Sequence, residues 1–261
     1  MSNYDRNAYS QFGPVAGRAG VAEYDQGLRA YMLGIYNHMT IALAISALVA
    51  LGTYMAAVSS VPTAYPIGRS IYLTGFGAAL YLSPLKWLVM LAPLGFVFFL
   101  SFRFERMSMG ALMGTFWAFA TVMGLSLSTI FLVFKMGSIV QTLFITAASF
   151  GALSLYGYTT KRSLSAMGSF LVMGLFGLII ASLANIFFQS GALQFVINLV
   201  GVGIFAGLTA WDTQRLKEEY DVVGHDQTMA GKASIMGALS LYLNFINMFQ
   251  FLLSLMGQRN N

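Results

Sequence analysis

Long apolar runs broken by single charges set the pattern of this chain. A membrane-spanning helix needs about 20 mostly apolar residues. Tyr31 to Val58 reads as the first such helix. Ser59 to Ser83, with Pro62, Pro66, Gly68, Gly75 and Gly77, reads as an external loop lying at the membrane interface. Pro84 to Phe102 is the second span, with a kink predicted at Pro93. Ser108 to Phe134 is the third and Gly137 to Thr160 the fourth, closed by Lys161 and Arg162. No charge occurs from Ser163 to Trp211, a stretch too long for one helix; Gln189-Ser190-Gly191 is the natural hairpin turn between spans five and six. Arg215 to Lys232 reads as the most charged loop, and the seventh span runs from Ala233 to Gly257. The pattern predicts an all-α, polytopic integral membrane protein with seven transmembrane helices. A polar N-terminal tail over 1–28 is predicted to lack fixed structure. The membrane domain covers 29–257, and a short C-terminal tail covers 258–261.

Composition strengthens this reading. Of 261 residues, 57% are hydrophobic and 9% charged, where a soluble domain carries roughly 25% charge. Most of the outer surface must therefore face lipid. The net charge of +5 is spread singly between apolar runs, with no basic cluster interleaved with aromatics, so nucleic acid is not an expected partner. Its distribution orients the chain. With the N-terminus in the cytoplasm, inner segments hold Arg6, Arg18, Arg29, Arg103, Arg106, Lys161, Arg162, Arg215, Lys217 and Lys232, and outer segments hold Arg69, Lys86, Lys135 and Arg259. The C-terminus then lies outside, unless the seventh helix is re-entrant. The absence of cysteine excludes disulfides and thiolate chemistry. The first span follows a polar tail and is longer than a signal-peptide core, so it is read as retained. Gly110 with Gly114, and Gly203 with Gly207, have the spacing that lets helix backbones approach closely.

Ionisable groups at membrane depth are costly and often functional. The best candidate is Asp212, in Ala210-Trp211-Asp212-Thr213-Gln214. It falls about 29 Å along the sixth helix from Leu193, near the inner boundary. A carboxylate at a helix C-terminus opposes the macrodipole and wants a cation or proton nearby; Arg103, Arg106 and Arg215 lie on the same side. A hydrated helix-end residue is the competing reading. On the seventh helix Ser240, Asn244, Asn247 and Ser254 fall near one face. They form either a polar pore side or a set of interhelical hydrogen bonds. His38 reads as structural. His225, with Glu218, Glu219, Asp221 and Asp226, reads as a solvated charged loop without EF-hand spacing. No HExxH, GxSxG or Walker A sequence occurs, and residues 233–257 contain no lysine for a retinal Schiff base. No enzymatic activity and no cofactor are expected.

Several segments in order resemble bacterial members of the transmembrane Bax inhibitor motif, or Bax inhibitor-1, family. They are Met123-Gly124-Leu125-Ser126-Leu127-Ser128, the run from Phe150 to Arg162, Leu164 to Gly168, Ala210 to Gln214, and Ala238 to Asn247. The resemblance covers nearly all of 29–257. It implies a central seventh helix surrounded by the other six. It also implies a pair of aspartates at the inner ends of helices six and seven, which gate a pH-sensitive calcium leak. Two carboxylates in one site cannot easily both ionise, so a shared proton senses pH. Asp212 matches the first aspartate, but the second position is Asn244, which cannot ionise. The expectation is thus a calcium leak with blunted pH control, its ion gate at Asp212 and Asn244. These two residues are also the candidate calcium ligands, with Ser240 and Asn247 as pore-side candidates. A second expectation belongs to another class: a non-conducting regulator that modulates an ATP-dependent membrane protease or a stress response, with the N-terminal tail as its contact. The motif spellings point to a bacterial inner membrane.

Overall fold

Hydrocarbon offers no hydrogen-bond partners, so a chain crossing it must satisfy its backbone internally, and long helices do this. The computed structural model describes residues 13–67 and 71–260, with side chains from Tyr24 onward except Ile67. Seven of its helices are long and apolar enough to cross a membrane. In chain order the elements are α1 (Gly13–Ala57), β1 (Val58–Ser59), β2 (Pro66–Ile67), β3 (Ile71–Leu73), α2 (Gly75–Tyr81), α3 (Leu85–Arg103), α4 (Met109–Leu127), α5 (Ile130–Val133), α6 (Met136–Thr159), α7 (Ser165–Phe188), α8 (Gly191–Val223) and α9 (Gln227–Met256). The spans are α1, α3, α4, α6, α7, α8 and α9.

Several boundaries differ from expectation. Helix α1 begins at Gly13, so 13–28 of the expected tail is helical; residues 1–12 lie outside the described residues. Its early turns are tied down from outside: Tyr24 donates to the Asp221 carboxylate, and the Tyr24 and Tyr31 rings pack on Tyr220. The expected loop after the first span contains a small antiparallel sheet, in the order β1-β3-β2, and then α2, capped by Thr74. The third span breaks at Ser128-Thr129, leaving α5 as a separate turn. The expected loop from Arg215 to Lys232 is mostly helix. α8 continues to Val223, and α9 starts at Gln227 with Asp226 accepting from the Thr228 and Met229 amides. Charges end a membrane span there without ending the helix, since Lys217, Glu218 and Glu219 are good helix formers in water. The hairpin at Gln189 is where expected, and Gln189 takes the left-handed conformation, φ 48°.

Helix α9 is the most buried span. It packs chiefly against α8, α1, α6 and α4, while α3 rests mainly on α4 and α7 on α8. Its Tyr242 is fully buried, edge-on to Phe116 and Phe119. The Ser46 hydroxyl donates to the Ala120 carbonyl at 2.7 Å, so the Tyr242 hydroxyl is the donor in their 2.6 Å contact. One polar knot thereby joins α1, α4 and α9.

The small-residue contacts are only partly the expected ones: a Cβ on Gly207 would lie 2.5 Å from the Leu171 side chain of α7. A Cβ built on Gly110, Gly114 or Gly203 meets nothing within 4 Å. Between spans, a Cβ would meet the backbone of another helix at Gly124, 2.6 Å from the Ser46 carbonyl oxygen, and at Gly157, 2.2 Å from that of Ala210. The spacing of two glycines marks a permissive face; which helix lies against it is decided elsewhere in the chain.

Candidate functional site

Four consecutive residues of α8 each face a different neighbour, because successive helix positions turn by about 100°. Trp211 covers Gly168 of α7, where a Cβ would collide with the indole ring. Asp212 points to α9. Thr213 donates to the Thr209 carbonyl at 2.8 Å and sits 3.4 Å from Ser154 of α6. The Gln214 amide bridges the α6–α7 link, accepting from the Leu164 amide at 2.7 Å and donating to the Arg162 carbonyl at 3.0 Å. A turn later, Lys217 donates to the Tyr158 carbonyl near the end of α6 at 3.1 Å. The segment locks α8 into three surrounding elements and fixes the direction of Asp212.

Asp212 is 4% exposed. Its Oδ1 takes the Arg215 guanidinium, with Nη2 at 2.8 Å and Nε at 3.1 Å. Its Oδ2 accepts from Asn244 Nδ2 at 2.7 Å and from the Ser240 hydroxyl at 2.9 Å. The guanidinium also lies 5.3 Å from the Trp211 ring centroid. A buried carboxylate needs its charge compensated and its lone pairs filled; here one cation and two neutral donors do so. This is a latch between α8 and α9.

Of the three cations nominated from sequence, only Arg215 reaches Asp212; Arg103 and Arg106 are exposed near the end of α3 and form no ion pair with it. Nor is Asp212 at a helix end. α8 continues eleven residues to Val223, about 16 Å further, so the macrodipole argument does not apply and the arginine does the compensating. The polar stripe of α9 divides. Ser240 and Asn244 join the latch, whereas Asn247 donates to the Leu243 carbonyl of its own helix at 2.8 Å and lines a separate cavity beside Phe205 and Phe251. Ser254 is exposed.

The latch has an opening. A cavity of about 400 Å³ between the ends of α3, α8 and α9 is lined by Arg215, Ser240, Glu219, Lys232 and Phe104 among others. Glu219, expected in a solvated loop, is a half-buried wall of this vestibule. Tyr31, 7% exposed, has a buried hydroxyl with no hydrogen-bond partner among the described residues. Neither role was visible in the sequence, since both depend on α8 remaining helical past Arg215. His38 Nδ1 lies 3.5 Å from the Ser234 hydroxyl. Among the described residues no group of three or more His, Cys, Asp or Glu could hold a metal ion. At the latch itself the Asp212 oxygens are occupied by the Arg215 guanidinium, the Asn244 amide NH₂ and the Ser240 hydroxyl.

Comparison with known proteins places these residues in context. The family model "Inhibitor of apoptosis-promoting Bax1" matches residues 28–261. The chain is 42% identical over 238 residues to the uncharacterized protein RP147 of Rickettsia prowazekii, covering 91% of this chain and 93% of that one. It is 41% identical over 257 residues to an uncharacterized protein of Caulobacter vibrioides, covering 98% of each. It is 40% identical over 236 residues to the inner membrane protein YbhL of Escherichia coli, covering 89% of this chain and 93% of that one.

Proposed function

The chain belongs to the Bax inhibitor-1 family of membrane proteins, and we propose that this member is a calcium leak of the bacterial inner membrane, N-terminus cytoplasmic, with weakened pH control. The observation that carries the reading is the Asp212–Arg215 latch, whose Arg215 and Ser240 line a vestibule between α3, α8 and α9. In the closed form Arg215 neutralises the carboxylate that a passing cation would need. Opening swings the guanidinium away and turns the Asn244 amide, so that Asp212 and the Asn244 carbonyl offer oxygen ligands to Ca²⁺. Ser240 adds a hydroxyl. Calcium is the transported ion, and no catalytic step or resident cofactor is involved. Weak pH control follows from residue type: with asparagine at 244 there is no second carboxylate to share a proton.

A second reading has its own support. Every acceptor site on Asp212 that matters is filled from within the chain, as in a structural staple, and the ends of α8 and α9 beyond it form a charged surface suited to a protein partner. That reading makes the molecule a non-conducting regulator of a membrane protease.

Calcium flux into dye-loaded liposomes containing the purified protein, scanned from about pH 6 to pH 8, separates the two. The leak reading expects flux in the wild type, its loss in Asp212→Ala, and an acquired pH profile in Asn244→Asp. Flux no greater than in empty liposomes for all three would sink it. Loss of protease association on deleting residues 1–12, which leaves α1 whole, would then support the regulator.

A further inference from the structure

Helices α1 and α6 both pack on α9, yet they make almost no direct contact with each other. The seam between them holds two cavities in line. The first, about 460 Å³, is lined by Arg29, Met32 and Tyr36 of α1 and by Gly151, Leu155 and Tyr158 of α6. The second, about 500 Å³, continues past Thr40 along the same faces, with Leu43 and Ala47 opposite Val140 and Leu143, and is floored by Phe245 and Phe249 of α9. Spacings of three and four residues on both helices mean that one face of each borders the seam along its length. Between them on α6, one turn from Leu143 and one from Gly151, stands the small, exposed Ala147.

The two halves differ in chemistry. The second is bordered almost wholly by hydrocarbon. The first ends in cations: Arg29 is exposed and makes no ion pair among the described residues, and Lys217 lies 5.0 Å from the Tyr158 ring centroid. Lys161 and Arg162 are exposed just beyond the end of α6. From Arg29 to Thr40 the helix rises about 16 Å, roughly half of the ~30 Å hydrocarbon thickness. The first cavity is therefore about one leaflet deep, and its largely apolar slot with a basic rim matches one lipid, chain inward and charged head at the rim.

We infer that the α1–α6 seam is a binding site for an anionic glycerophospholipid of the leaflet at the charged end. One acyl chain fills the slot and the headgroup phosphate meets Arg29. The lipid completes the wall around α9 that the protein leaves open. This site is independent of ion conduction and does not rest on the leak reading.

The test uses delipidated full-length protein in detergent, offered phosphatidylglycerol or phosphatidylcholine with identical chains and read by native mass spectrometry. Wild type should retain phosphatidylglycerol about fivefold better, the contribution of one basic side chain near the headgroup. Arg29→Gln should erase that preference. Gly151→Leu should displace both lipids, because a Cβ at Gly151 meets nothing within 4 Å and the side chain grows into the slot. Equal retention of the two lipids by wild type, or an unchanged preference in Arg29→Gln, overturns the headgroup contact. Bound lipid persisting in Gly151→Leu with a wild-type melting curve overturns the slot. Should that variant fail to fold, the Arg29→Gln comparison still decides.

Discussion

Asn244 donates its side-chain amide to Asp212 across the α8–α9 interface at 2.7 Å. The residue that lacks a carboxylate is therefore an integral donor to the one that has it. Asparagine at this position exchanges a repulsive pair for a hydrogen bond, so the closed latch holds without a proton.

Asn244→Asp reverses that exchange. Two carboxylates in the same place must share a proton, and the penalty grows as rising pH removes it. The variant should melt below wild type, by a margin that widens from about pH 6 to pH 8. Melting curves in detergent at several pH values measure it. A margin that stays constant across the range would refute the shared-proton account.

Arg215→Ala removes the only cation bonded to Asp212 among the described residues. The carboxylate then stays buried with neutral donors alone. Breaking a fully buried pair costs about 3–5 kcal/mol; the arginine side chain is 46% exposed, so about 2 kcal/mol is expected here. Ser240→Ala removes one neutral donor and should cost about 1 kcal/mol. Chemical denaturation in mild detergent should rank the two in that order.

Gly157→Ala places a methyl group against the Ala210 carbonyl, a backbone atom that cannot step aside. Helices α6 and α8 must separate, at a cost of about 1–3 kcal/mol. Gly114→Ala points into open space and should be neutral or slightly stabilising, since alanine is the better helix former by up to ~1 kcal/mol. Paired thermal melts give the contrast, and similar effects for both would contradict the packing described.

Tyr31→Phe deletes a buried hydroxyl that has no partner among the described residues. Removing an unsatisfied polar group relieves a penalty of about 1–3 kcal/mol, so the variant should be at least as stable as wild type. Marked destabilisation would mean that the hydroxyl is engaged.

The seven spans were legible because lipid imposes a length and a composition that leave few alternatives. Asp212 stood out for the same reason, and the helical spacing of Ser240 and Asn244 put both on the face that meets it. What escaped was decided by water or by distant partners. Lys217 and Glu219 carry charge, which ends a hydrophobic run but not a helix, so the extension of α8 looked like a loop. Gly157 is indistinguishable from Gly114 until Ala210, far along the chain, arrives against it. Tyr31 and Glu219 gain their surroundings only after that extension exists.

The length of α8 has a mechanical consequence. Its 33 residues make a rod of about 50 Å, well beyond the ~30 Å of hydrocarbon, and only residues 224–226 separate it from α9. The projecting part runs on beyond the hydrocarbon braced against α1 through Tyr220 and Asp221, with Asp212 about three turns below its tip. A tilt of that projection is a tilt of the helix that carries both Asp212 and Arg215, because nothing breaks α8 between them.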